Sequence, residues 1–229
     1  MKKLRTLLVI FDNHIPATKI TAFRGAIIEK AGRDNILFHN HLGKKSYVYR
    51  YPLIQYKSIK QKPAIFCVDA GVDEIHRLFE QKSWDIQVND EAVKLVVDRL
   101  DLKSTTLNVW EKMFNYQINR WQALNDKNYK TFQSITSLKE RIAFLERVLA
   151  GNILSFAKGI DWHIEKTIRI EIDELKQENV TRMKDTKVSA YNVNFRCNVF
   201  LPDYIGLGKG ASTGFGVIKQ LRKNNNEEQ

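Results

Sequence analysis

The sequence predicts an α+β protein made of two successive halves, each an antiparallel sheet backed by helix. Three observations lead there. Strand-like apolar runs occur in both halves, helices with a clear apolar stripe separate them, and the first half orders its elements as strand, helix, strand, strand, helix, strand. That order is the split βαβ, or ferredoxin-like, arrangement, so the expectation is two tandem ferredoxin-like domains.

Leu4 to Phe11 reads as a buried strand. After Pro16 a helix runs from about Thr18 to Ala31, with Ile20, Phe23, Ile27 and Ala31 on one face and Gly32 as its stop. A polar stretch rich in His and Lys follows. Strands are then expected at Leu53–Ile59 and Ala64–Asp69, joined by Lys60-Gln-Lys-Pro63, with a helix opening at Asp73 and a last strand at Val93–Val97. The polar stretch Asp101–Asn108 is the expected boundary, which gives domains at 1–104 and 105–222 and a disordered tail at 223–229. In the second half, alternation at Phe114, Tyr116 and Ile118 precedes a loop rich in Asn, Asp and Lys. Ser137-Leu-Lys-Glu140 has the form of a capping box, and Leu138, Ile142, Leu145, Leu149, Ile153 and Phe156 form the stripe of the helix it opens. Strands follow at Ile168–Ile172 and Val188–Leu201. In the latter, Tyr191, Val193, Phe195, Cys197, Val199 and Leu201 share one face, and Asn192, Asn194, Arg196 and Asn198 share the other.

Lysine and arginine outnumber the acids 37 to 26 over 229 residues, a formal charge of +11. A surplus of that size favours a polyanionic partner, of which nucleic acid is the commonest. Cys67 and Cys197 lie in apolar runs, as reduced cysteines of a cytoplasmic protein do, rather than in a metal-ligand spacing. The apolar run Leu7–Phe11 is too short for a signal peptide or membrane span. The expectation is a cytoplasmic protein without membrane contact, metal or cofactor.

Gly206-Leu-Gly208-Lys-Gly-Ala-Ser-Thr-Gly214-Phe-Gly216 is the most specific feature, with five glycines in eleven residues. Glycine lets the backbone approach a ligand, and successive N–H groups can form a concavity for phosphate. Lys209, Ser212 and Thr213 add charge and hydroxyl donors. A dinucleotide fingerprint laid over Gly206, Gly208 and Ala211 lacks the following helix and downstream acid. A P-loop fails because no Gly-Lys-Ser/Thr triplet opens a helix. A flexible hairpin without a ligand remains the alternative.

Two Gly-hydrophobic-Gly units flanking five residues near the C-terminus, on a two-part ferredoxin-like chain, resemble the RAMP superfamily of CRISPR-associated proteins, whose domains are also RRM-like. Within it, the chain is most similar to the family called CRISPR-associated protein six. Leu37-Phe-His39-Asn-His41, Tyr49-Arg50-Tyr51-Pro52-Leu53-Ile54-Gln55-Tyr56-Lys57 and Lys62-Pro63-Ala64-Ile65 carry the likeness at the other end. The resemblance implies an endoribonuclease that cuts the repeats of a CRISPR transcript into guide RNAs, acting as a monomer or homodimer, with CRISPR effector subunits as further partners. A non-catalytic RAMP-type scaffold subunit that holds guide RNA is the second reading, and a protein that binds duplex DNA the third.

His39 and His41 stand two apart, beside Lys44 and Lys45. In an extended segment, which is expected after Gly32, such residues point the same way and both imidazoles can reach one phosphodiester. Metal-independent RNA cleavage needs one group to take the proton of the 2′-OH and another to protonate the leaving 5′-oxygen. Histidine suits both, with a reference pKa of about 6.5. The resemblance implies this chemistry, with the larger share on His41; His41 is assigned as base and His39 as acid or positioner. A His-x-His pair can also bind metal, but no further ligand lies at suitable spacing. Two hydrogen-bonding surface histidines are the remaining alternative. Lys44, Lys45, Tyr47, Tyr49 and Arg50 interleave cations with rings and could clamp phosphates or stack a base. Arg24 and Lys57 are further candidate phosphate contacts.

Overall fold

The computed structural model describes residues 1–33, 36–39, 41–42, 46–47, 51–183 and 186–221. In chain order the first half contains β1 (Lys2–Phe11), α1 (Ile20–Ala31), α2 (Ile36–His39), β2 (His41–Leu42), β3 (Ser46–Tyr47), β4 (Ile54–Ile59), β5 (Lys62–Val68), α3 (Ala70–Glu74), α4 (His76–Phe79), β6 (Asp85–Val88), β7 (Glu91–Lys94) and β8 (Val97–Leu107). The second contains β9 (Val109–Trp121), α5 (Asp126–Ser134), α6 (Leu138–Gly159), β10 (Ile170–Met183), β11 (Thr186–Val199) and β12 (Val217–Gln220). The main sheets are antiparallel and ordered β4-β5-β1-β8 and β10-β11-β9-β12, the ferredoxin-like order in each half.

Alternation in the strands decides what each face of the first sheet covers. Val9, Phe11, Ile54, Tyr56, Ile65 and Cys67 pack against Ile20, Phe23, Ile27 and Ala31 of α1, the four residues of its apolar stripe. Leu4, Leu8, Ile10, Ala64, Phe66 and Val68 turn the other way, into a core shared with β9, β11 and α6. Each fully buried Ile, Leu or Phe of these sets contributes about 1.5–3 kcal/mol, so the two halves are joined by apolar burial. Both cysteines are buried thiols.

Several elements depart from the sequence-based expectation. The strand expected at Val93–Val97 is a small hairpin, β6 with β7, and the fourth strand of the first sheet is β8. The polar stretch Asp101–Asn108, expected as the boundary between the halves, is mostly the end of edge strand β8, and an edge strand is polar because much of it meets water. The Asn-rich loop after β9 is in part the helix α5, whose cap Asn125 accepts from Asn128 N at 2.8 Å. Ser137 does cap α6, but its side chain makes no capping bond, and Leu138 is 67% exposed. In the second half a glycine loop with a single 3-10 turn, Ala211–Thr213, stands where the second helix of the motif would be. The tail from 222 onward lies outside the described residues.

Candidate functional site

β4 is the strand on which the candidate segments meet. Tyr56, on its helix side, meets the Phe23 ring edge-on at 6.1 Å, and its hydroxyl donates to the Phe38 carbonyl at 3.3 Å. Phe38 is 1% exposed and precedes His39, so this contact ties the carboxyl end of α2 to β4. Burial pushes the Tyr56 hydroxyl above its ordinary pKa and leaves it the protonated donor. Arg24 of α1 lies half-buried near Tyr56, and burial lowers its pKa. It belongs to the α1–β4 packing rather than to an open polar face.

The neighbours of Tyr56 in β4 turn the other way. The Gln55 side chain is completely buried, and its Oε1 accepts from Gly206 N and from Lys57 Nζ, each at 2.9 Å. Its Nε2 donates to the Tyr51 hydroxyl at 2.7 Å and to Pro52 O at 3.0 Å, while Tyr51 donates to Gly206 O at 2.8 Å. Gly206 is thus held by both its N–H and its carbonyl to residues about 150 positions earlier. Lys57 is 1% exposed and faces the Phe66 ring at 5.9 Å. Burial without a carboxylate partner pulls its pKa down to about 7.

The glycine loop is closed rather than open. Leu207 N donates to Gly216 O at 2.8 Å, Gly216 N to Arg120 O at 3.2 Å, and Thr213 N and Phe215 N both to Gly210 O. Ala211 and Phe215 are buried, so part of the loop serves packing and the expected concavity of free N–H groups is smaller than its composition suggests. Lys209 is exposed, Ser212 and Thr213 are half-buried, and the loop rests on α1 and β4.

Two cavities flank this loop. One, of about 330 Å³, is lined by Lys57, Lys60, Arg120, Thr213, Gly214 and Lys219 among others, with no carboxylate among the described residues. Lys60 reaches it from a two-residue turn in which Lys60 and Gln61 both take positive φ. The Arg120 guanidinium lies 4.4 Å over the Phe215 ring. The other cavity, of about 620 Å³, is entered between Tyr51, Lys209 and α6. Lys60, Arg120 and Lys219 escaped the sequence reading; Lys60 in a tight turn beside a strand end was the one available signal.

The histidines do not share one extended stretch. His39 is the last residue of α2 and His41 the first of β2, where it pairs in register with Tyr47. The side chains of His39, His41 and Tyr47 lie outside the described residues, as do Lys44, Lys45, Tyr49 and Arg50 altogether. Asn194 and Arg196, on the polar face of β11, are engaged on their own sheet with Glu174, Glu171 and Asp173. Among the described residues no group of three or more His, Cys, Asp or Glu could hold a metal ion, and no helix is long and apolar enough to cross a membrane.

Family models described as the Cas6b N-terminal domain and the Cas6b C-terminal domain match residues 2–106 and 108–221. An uncharacterized protein of Methanocaldococcus jannaschii is 30% identical over 140 residues, 61% of this chain and 94% of that protein. A crystal structure of Cas6b superposes with a TM-score of 0.87 at 25% identity, over 96% of this chain and 100% of its own. A CRISPR RNA processing endoribonuclease Cas6b gives 0.73, at the same identity and coverage. A Cas6 product complex shares the fold at 0.59 and 9% identity, with coverage of 96% and 100%.

Proposed function

The chain belongs to the Cas6b family, and from that premise we propose that it is a metal-independent endoribonuclease that cuts CRISPR repeat RNA. The observation that carries the reading is the meeting on β4 of the His39-bearing helix and the glycine loop, beside a cavity lined by cations. The similarity to a CRISPR RNA processing endoribonuclease supports the substrate. The 2′-OH oxygen attacks the adjacent phosphorus and the P–O5′ bond breaks. His41 takes the 2′-OH proton and His39 protonates the leaving 5′-oxygen, giving a 5′-hydroxyl and a 2′,3′-cyclic phosphate. Each positioned proton transfer contributes roughly 10²–10⁴-fold. Lys60, Arg120 and Lys219, with Lys209, Ser212 and Thr213 of the loop, provide charge and donors for the backbone phosphates, and Lys57 lies buried behind them against Gln55. Lys44, Lys45, Tyr47, Tyr49 and Arg50 extend that surface from the histidine segment.

The test is incubation with synthetic repeat RNA in EDTA and analysis of the fragment ends. Cutting should persist, should leave cyclic phosphate, and should stop when the cut site carries a 2′-deoxy. The His39→Ala/His41→Ala double variant should bind RNA but leave it whole. Loss of cutting in EDTA would overturn the mechanism.

A further inference from the structure

The cavity of about 620 Å³ at the Gly208–Lys209 end of the loop has two features that the fold does not explain. The first is Gln122, whose backbone bridges to Lys209. It is 1% exposed and lines the cavity, yet among the described residues neither Nε2 nor Oε1 has a hydrogen-bond partner. A buried amide with donor and acceptor both unmet is rare and costly, and it points to a partner that arrives from elsewhere. The second is Gly151. It sits inside α6, where glycine weakens a helix relative to alanine. A Cβ built there would meet nothing within 4 Å, so neither packing nor backbone demands glycine. What lies there is the cavity, and a side chain would intrude on it.

The rest of the lining suits one class of occupant. Phe144 provides an apolar ring, with the Arg147 guanidinium 5.8 Å from its centre. The cations Arg147 and Lys209 stand at the mouth near α5, whose first turn is already capped by Asn125 and carries Asp126, so negative charge is favoured at Lys209 and Arg147. Among the described residues no carboxylate lines the cavity. Resting on the RNA-cleaving reading above, we infer that this cavity takes one unstacked base of the bound RNA, with its hydrogen-bonding edge on the Gln122 amide and its phosphate toward Lys209 and Arg147. An amide presents one donor and one acceptor in fixed order, so it discriminates among base edges. The cavity therefore reads one nucleotide beside the glycine loop, a specificity role separate from proton transfer.

Gln122→Leu and Gly151→Leu test this without relying on activity. Removing an unmet buried amide and replacing a helix glycine both favour the folded state, so both variants should melt at or above the wild-type temperature. Fluorescence anisotropy with short homopolymers of adenylate, cytidylate and uridylate reports binding. Wild type should prefer one of the three by about tenfold, in line with one base contact. Gln122→Leu should erase the preference, and Gly151→Leu should weaken binding of the preferred polymer to the level of the others. If both variants keep the wild-type preference, the inference fails, and an ordered water on Gln122 accounts for the amide. A Gln122→Leu variant that fails to fold also overturns it, because the amide would then be needed by the protein itself. If wild type binds no RNA, the nuclease reading falls instead, a result distinct from either of these.

Discussion

Gly216→Ala and Gly214→Ala make a matched pair, because both glycines have positive φ, +60 and +83, within one loop. A non-glycine residue there costs about 1–2 kcal/mol of left-handed strain, offset in part by the lower entropy of the unfolded alanine chain. At Gly214 that is nearly all: a Cβ would stand 3.6 Å from Tyr56 O and 3.8 Å from Lys57 Cα, ordinary contact distances. At Gly216 a Cβ would fall 1.8 Å from Leu207 O, so the loop must part. The bonds at risk are Leu207 N to Gly216 O and Gly216 N to Arg120 O. Two buried backbone bonds at about 1–3 kcal/mol each, added to the strain, give roughly 3–7 kcal/mol for Gly216→Ala against about 1 for Gly214→Ala. Urea unfolding followed by fluorescence measures both. Equal losses would refute the reasoning, since they would mean that conformational freedom alone decides both positions.

Two further outcomes follow from β4. Lys57 keeps its proton up to pH about 7 in the folded state and up to about 10.5 when unfolded. Below pH 7 both states are charged and the burial cost is fully present; it is relieved as pH rises from 7 toward 10.5. Lys57→Met should therefore gain most over wild type at pH 6. That advantage should shrink above pH 7 by at most about 1.4 kcal/mol per pH unit, as read from urea melts across the range. A pH-independent difference would mean that the ammonium is solvated. Tyr56→Phe removes the donor to Phe38 O at the cost of about 1 kcal/mol or less of stability. It should lower the cleavage rate while RNA affinity stays, which single-turnover kinetics beside anisotropy would separate; an affinity loss of the same size would argue against a positioning role.

How much of this was legible in the sequence depended on whether the signal was local. The stripe Ile20, Phe23, Ile27, Ala31 and the alternation from Tyr191 to Leu201 are periodic, and burial in the structure follows them. β8 was missed because an edge strand half in water carries the polarity of a loop. Lys57 reads in the sequence as a candidate phosphate contact; its burial follows from Gln55 and Tyr51 closing over Gly206, a contact across 151 residues for which no local pattern exists. Gln122 and Gly151 were equally silent, since an unmet amide and an unneeded glycine become visible only once their surroundings are known. The loop showed the opposite limitation. Its glycines stood out, but the share of them spent on packing did not.

The geometry of β4 gives a reason why both regions could be kept in step through the life of the protein. A strand offers alternate residues to opposite faces at a rise of about 3.3 Å per residue. Gln55 holds the loop on one face, Tyr56 holds α2 on the other, and Lys57 returns to the loop side within the same three residues. The spacing of the two anchor points is then fixed by covalent backbone, while the Gly206 hydrogen bonds to Gln55 and Tyr51 hold the second half's loop to them. The cavity beside Lys57 and the cavity beside Gln122 lie at opposite ends of one loop, both without acids among the described residues of their lining, in a chain of charge +11. On the proposed reading, RNA drawn by that field crosses the loop with a basic hollow on each side. The cleavage proposed above needs the scissile phosphate held against the histidine segment to within a fraction of an ångström, and on that reading a loop clamped to the adjacent residue of the same strand is a means of holding it.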